Sequence, residues 1–284
     1  MRWRDRVAST NVEDVRGRGR GGMAIGGGIG TLAIVLLAAF CGVDPSALLN
    51  QLPQEGGGAP GPAAERRVNP AEEEMAQFTR VVLRDTEDTW NEVFRQAGRQ
   101  YREPTLVLFD GQVQSACGLA GAAVGPFYCP GDERLYIDLS FYRDLKSRFR
   151  APGDFAQAYV VAHEVGHHIQ HLLGTMDKVH AAQQRMRQAE ANQLSVRLEL
   201  QADFYAGVFA HHIQRKGYLE AGDVDEALNA ATAIGDDKLQ REGQGYVVPD
   251  SFTHGSSEQR MRWFRKGLET GDIRQGDTFS ARSL

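Results

Sequence analysis

The sequence predicts an α+β fold, mostly helical with a small β-sheet, preceded by one transmembrane helix. Three observations predict it. The 23 residues from Gly21 to Val43 carry no charge. Two short runs, 105–109 and 135–139, combine aliphatic and aromatic residues and are bounded by turn formers. After them the chain follows helical periodicity almost throughout.

The chain has 284 residues, 42% of them hydrophobic and 24% charged, with a net charge of −5 and 3 cysteines. That length can bury a sizeable core, and the apolar content excludes a wholly disordered chain. A mildly acidic protein has no global field to draw it onto phosphates, so nucleic acid is not expected as a partner. No Cys-x-x-Cys pair occurs, which removes zinc-ribbon and thioredoxin-like readings.

The elements follow in order. Residues 1–20 read as a basic tail carrying Arg2, Arg4, Arg6, Arg16, Arg18 and Arg20. As a helix, 21–43 would measure roughly 35 Å, enough for a hydrocarbon core of about 30 Å. A cleaved signal peptide and a lipoprotein signal ending at Cys41 compete with this reading. The first is opposed by the long basic region and the lack of a small-x-small site, the second by Phe40 before the cysteine. Arginines before the span place the N-terminus in the cytoplasm and the remainder outside the cytoplasmic membrane, in the periplasm or at the cell exterior. The lipid bilayer is thus one expected partner. Residues 44–67, rich in Gly and Pro, read as a linker, and 68–284 as the folded domain.

Within that domain, Asn69-Pro70 followed by Glu72, Glu73 and Glu74 signals a helix start, and Phe78, Val81, Val82, Trp90, Val93 and Phe94 continue it toward Gly98. Thr105–Phe109 and Leu135–Leu139 read as strands. The second, the last strand before the helix described next, is the candidate edge for binding an extended peptide by strand addition; an ordinary core strand is the alternative. Cys117 and Cys129 lie twelve apart on the side assigned as oxidising, which favours a disulfide over free thiols or metal ligation.

The chemistry concentrates in His163-Glu164-Val-Gly-His167. Histidines four apart project from one helical face and can grip one Zn²⁺, one per chain, while Glu164 can take a proton from a metal-activated water and pass it to a leaving amine. A third histidine six residues after the second is ruled out by Leu173. Leu198-Glu199-Leu-Gln-Ala-Asp203 offers a carboxylate instead: Glu199 as third ligand, with Asp203 on the same face to accept the N–H of a ligating imidazole. His168, His171, His180, His211 and His212 are assigned non-ligand roles, because a fourth protein ligand would close the site to water. Arg260 and Arg262 are expected to serve packing and salt bridges.

The order of features resembles the neutral zinc metallopeptidase family of bacterial single-pass membrane proteins, and the site resembles that of gluzincins. The resemblance is carried by Met1-Arg-Trp-Arg, Asn11-Val-Glu-Asp, Gly125-Pro-Phe-Tyr-Cys-Pro, Tyr136-Ile-Asp-Leu, the two helical motifs around His163 and Glu199, and His254-Gly-Ser-Ser-Glu-Gln-Arg260. It implies a zincin-like catalytic domain and hydrolysis of peptide bonds in a peptide or protein substrate. Gluzincins also use a nearby His or Tyr to hold the oxyanion. His254 is the candidate, and tying its loop to the core is its alternative role. Two rival functions fit the residues: a catalytically idle or latent scaffold that keeps the zinc fold, and a zinc amidase acting on cell-wall peptides.

Overall fold

The computed structural model describes residues 1–17 and 69–284. The expected span 21–43 and linker 44–67 lie outside the described residues; among those described, no helix is long and apolar enough to cross a membrane.

Strand β1 (Val12–Asp14) comes first. Helix α1 (Pro70–Gln96) then begins as its sequence requires: the Asn69 side chain accepts from the Ala71 N–H, Pro70 occupies the first turn, and Glu72 and Glu73 face the positive helix end. Its inward stripe, including Phe78, Val82 and Trp90, is buried. Five further strands follow: β2 (Thr105–Phe109), β3 (Gln112–Ser115), β4 (Gly118–Gly121), β5 (Phe127–Cys129) and β6 (Arg134–Asp138). The remainder is helical: α2 (Ser140–Ser147), α3 (Asp154–Leu172), α4 (Thr175–Gln183), α5 (Gln188–Arg215), α6 (Asp223–Ala233), α7 (Asp236–Gln244) and α8 (Ser257–Thr270). The fold is therefore α+β, mostly helical with a small sheet, as the sequence predicts.

The main sheet runs β1-β2-β6-β5, with β1, β2 and β6 parallel and β5 antiparallel to β6; β3 and β4 form a separate hairpin. This corrects the expected edge strand. The 135–139 run forms β6, held on one side by β2 and on the other by β5, so neither of its flanks is open to a peptide. The reason is the tight connection after Cys129, which folds β5 back onto β6 with Tyr128 opposite Leu135. Three residues are too short for β5 to announce itself in the sequence.

A second difference concerns residues 1–20, read from the sequence as a separate tail. Met1–Val15 belongs to the same compact unit as the rest of the described chain. Met1 is buried, Trp3 stacks edge-on against Phe78 at 5.4 Å, and β1 pairs with β2 through Val12↔Leu106 and Asp14↔Leu108. Strand pairing across so long a stretch of chain leaves no local trace, whereas the arginines are visible to any reading of composition.

The helices pack closely where the site will form. Gly166 of α3 lies against Ala202 of α5, where an added Cβ would come within 2.9 Å of the Ala202 carbonyl oxygen. Gly207 of α5 and Gly267 of α8 meet in the same way, each Cβ position lying 2.1 Å from a carbonyl oxygen of the other helix. Only glycine permits these approaches.

Candidate metal centre

Because α3 and α5 cross at Gly166, the residues four apart on each helix face one another. His163 and His167 project from α3, their rings 4.8 Å apart, and Glu199 projects from α5 between them. His163 Nε2 lies 3.2 Å from Glu199 Oε2, and His167 Nε2 lies 3.4 Å from Glu199 Oε1. Two ligands that each sit about 2.1 Å from a tetrahedral zinc are roughly 3.4 Å apart, so the three side chains fit such an ion. One ligand atom from each residue lies within 4.8 Å of the others.

Each imidazole is oriented from behind. His163 Nδ1–H donates to Asp203 Oδ1 at 2.8 Å, and His167 Nδ1–H donates to Gln170 Oε1 at 2.9 Å; both leave Nε2 free to ligate. Gln170 is in turn held by its amide N–H groups, which donate to the Leu198 carbonyl at 2.6 Å and to Gln201 at 3.2 Å. Asp203 has no exposed surface and accepts from the Tyr159 hydroxyl, from Arg260 Nε at 2.8 Å and from Arg260 Nη2 at 2.9 Å. Arg260 Nη2 also donates to Tyr159 at 3.1 Å.

The electrostatics favour a cation at this point. Burial alone would raise the Glu199 carboxyl, but the His167, His163 and His254 imidazoles hold it well below the usual carboxylate range. Burial would likewise raise Asp203, and Arg260 and His163 bring it down to about 2. Burial would lower His163, yet Asp203 and Glu199 push it up to about 10. Surroundings that hold a proton this strongly also stabilise a metal ion. Glu164, 8% exposed on the same helix, has no ion-pair partner among the described residues, which leaves its carboxylate available to a water.

His254 sits in the turn before α8 with half its side chain exposed. Asp236, the first residue of α7, organises that turn: its Oδ2 accepts the backbone N–H of Thr253, His254 and Gly255 at 2.7, 2.6 and 3.0 Å, and its Oδ1 faces His254 Nδ1 at 3.2 Å. Burial would lower His254, but Asp236 and then Glu199 raise it. The imidazole therefore belongs to the electrostatic neighbourhood of the cluster. Cys117 and Cys129 are joined by a disulfide with Cα atoms 5.8 Å apart.

The family model described as "Putative neutral zinc metallopeptidase" matches residues 1–279. The chain belongs to that family. Its relatives include a protein of Escherichia coli K12 named "Uncharacterized protein YpfJ", 50% identical over 289 residues that cover 98% of this chain and 99% of the relative. Another, "Uncharacterized protein Rv2575" of Mycobacterium tuberculosis H37Rv, is 39% identical over 87% of this chain and 86% of its own length. No solved structure matches.

In this zinc metallopeptidase family member the structure brings His163, His167, Glu199 and Asp203 together and places Glu164 on the same helix as the two histidines. Four participants escaped the sequence reading: Gln170, Tyr159, Asp236 and the particular use of Arg260. For Gln170 a signal was present, since a carboxamide three residues after His167 lies on the same helical face. Tyr159, one turn before His163, had the same signal. Arg260 and Asp236 become visible only when α8 and α7 are placed. Among the other histidines, His168 is fully buried between the Tyr128 hydroxyl at 3.0 Å and the Arg102 carbonyl at 2.6 Å, and His211 faces the Leu268 carbonyl.

Proposed function

We propose that the protein is a zinc-dependent peptidase with a zincin-like site, tethered to the cytoplasmic membrane through residues 21–43 and working on the oxidising side of it. The observation that carries the reading is a three-residue ligand set, His163, His167 and Glu199, beside a carboxylate, Glu164, that has no ion-pair partner among the described residues. When bound, zinc would polarise the scissile carbonyl and acidify a water. Glu164 accepts the proton of that water and delivers it to the leaving amine. His254, with Nδ1 held by Asp236, presents Nε2 as a hydrogen-bond donor to the developing oxyanion. Asp203 and Gln170 hold the two ligating rings in the tautomer that leaves Nε2 unprotonated for metal. The disulfide supports the compartment, since such bonds persist in oxidising surroundings.

The test uses full-length protein in detergent. The wild type is expected to hold one zinc per chain and to cleave an unstructured protein in a chelator-sensitive manner. Glu164→Gln should retain zinc while losing about two to four orders of magnitude in turnover. Glu199→Ala should lose the metal. Wild-type turnover in Glu164→Gln, or undiminished zinc in Glu199→Ala, would overturn the assignment. Zinc without cleavage of protein or of purified cell-wall peptides would leave the scaffold reading in its place.

A further inference from the structure

We propose that a cavity on the flank of α5 turned away from Glu199 and Asp203 binds a small amphipathic anion, an apolar body ending in a carboxylate, and that its occupancy is felt at His167. The binding is independent of the peptidase reading, whereas the link to His167 rests on the metal centre of that reading.

The cavity, about 460 Å³, lies between α4, α5 and the residues from Ile273 to Phe279. That size falls in the range of small-molecule sites, about 300–1,000 Å³. Val179, Ala182, Leu194, Ile273 and Phe279 give it apolar walls. Its uncommitted polar groups are donors. Lys178, exposed at the rim, has no ion-pair partner among the described residues. Tyr205 is only 3% exposed, and its hydroxyl has no hydrogen-bond partner among the described residues. Burial and the Asp277 carboxylate push that phenol up, so it stays protonated and able to donate. The other charges at the rim are already engaged. Arg274 forks onto Asp272 through Nε at 2.9 Å and Nη2 at 2.8 Å, and Asp277 Oδ1 accepts the backbone N–H of Phe279 and Ser280, each at 3.0 Å. A carboxylate supplies the acceptor that Lys178 and Tyr205 lack, and an attached apolar chain covers the walls. A cationic ligand would instead meet the like charge of Lys178.

Gln201 is the wall that the cavity shares with the metal centre. It is 7% exposed; its Nε2 donates to the Gly276 carbonyl at 2.8 Å and its Oε1 accepts from Gln170 Nε2 at 3.2 Å. Gln170 in turn accepts the Nδ1–H of His167 at 2.9 Å. Two carboxamides therefore connect the lining of the cavity to a ligating imidazole. A ligand seated against Gly276 and Gln201 restricts both, and with them the ring orientation that turns His167 Nε2 toward a metal. Linkage demands the converse: bound zinc tightens the hold on the anion by the same factor.

The experiment uses the full chain in lipid nanodiscs, carrying Glu164→Gln so that peptide probes are not consumed. Octanoate and acetyl-Leu-Leu, each with a free carboxylate, are titrated against it by calorimetry, and octanamide serves as the neutral control for partition into the bilayer. Saturable binding of a carboxylate probe, tighter than that of octanamide, is the expected result. The tighter of the two probes tells an acyl chain from a peptide C-terminus as the source. Lys178→Glu, a surface change, should weaken binding roughly tenfold by turning attraction into repulsion. Ala182→Trp, which fills the cavity, should remove it. Absence of saturable binding, or unchanged binding in either variant, overturns the site. The link is read by competition for zinc against a chromophoric chelator: saturating octanoate should raise zinc affinity severalfold, and should not do so in Ala182→Trp. Equal zinc affinity with and without octanoate overturns the link. A chain that takes up no zinc but binds octanoate in the cavity would defeat the metal centre and the link while sustaining the site.

Discussion

His163 and His168 share helix α3 and are both buried, yet their surroundings drive them in opposite directions. His163 has a carboxylate on each side of the ring, Asp203 at 2.8 Å and Glu199 at 3.2 Å, and is pushed up to about 10. His168 has a phenol and a backbone carbonyl, and burial pulls it down to about 4. The difference teaches that burial does not make a histidine a ligand. Its partners do: one face of α3 gathers charge in a form that a cation completes, while the other gathers neutral groups that bolt the helix to Tyr128 and β5.

The largest effect is expected where the charge is concentrated. Arg260→Met leaves Asp203 as a buried carboxylate without its countercharge, which should cost about 3–5 kcal/mol of stability and weaken zinc binding by roughly 10- to 100-fold. Arg260→Lys should restore part of the stability but not the paired contact of Nε and Nη2 with the two carboxylate oxygens. Denaturant melts, together with competition against a chromophoric chelator, measure both quantities. Unchanged zinc affinity in the Met variant would reduce Arg260 to a packing role.

On the neutral face, His168→Ala should cost about 2–4 kcal/mol through a cavity and two unpaired polar groups, with zinc content unaltered. It should also change the response to acid. A folded value near 4 against the usual 6.5 means the unfolded chain binds the extra proton. The contribution of His168 is therefore complete above about pH 6.5 and is lost as pH falls toward 4. The gap in melting temperature between wild type and variant should narrow from pH 7 to pH 5. A gap that stays constant would show that His168 takes up its proton alike in the folded and unfolded chain and is not lowered by burial.

The smallest effect is a linked proton. With His163 raised to about 10, the metal-free protein carries a proton there at pH 7.5, giving stability that is full below about 6.5 and lost as pH rises through 10. Zinc must displace that proton, so binding should release about one proton per ion and weaken as pH falls. Calorimetric titrations in two buffers of different ionisation enthalpy read this directly. No release would mean that His163 is already neutral before the metal arrives.

Much of the site was legible because its parts are local. Histidines four apart on an apolar helix share a face wherever that helix sits, and so do Glu199 and Asp203. The strands read at 105–109 and 135–139 were legible from composition, with the second observed at Arg134–Asp138, but its place in the sheet was not, because the three-residue β5 that covers its flank is too short to signal. The N-terminal residues were misread for a related reason. Six arginines are a feature of composition, while the pairing of Val12 with Leu106 is a contact between distant parts of the chain.

The sequence by itself determined the helical class, the turn-bounded strands, the family, and the histidine and carboxylate pairs on α3 and α5, because each is a matter of spacing within one element or of patterns along the whole chain. Tertiary structure alone decided which partners these residues meet. The contact of Gly166 with Ala202 brings the two helices near enough for Glu199 to reach both histidines. The reciprocal glycines Gly207 and Gly267 bring in Arg260 behind Asp203, and the pairing of Val12–Asp14 with β2 joins the first residues to the sheet. Such partners are chosen by close packing between segments far apart in the chain, where a single methyl group is enough to forbid the approach.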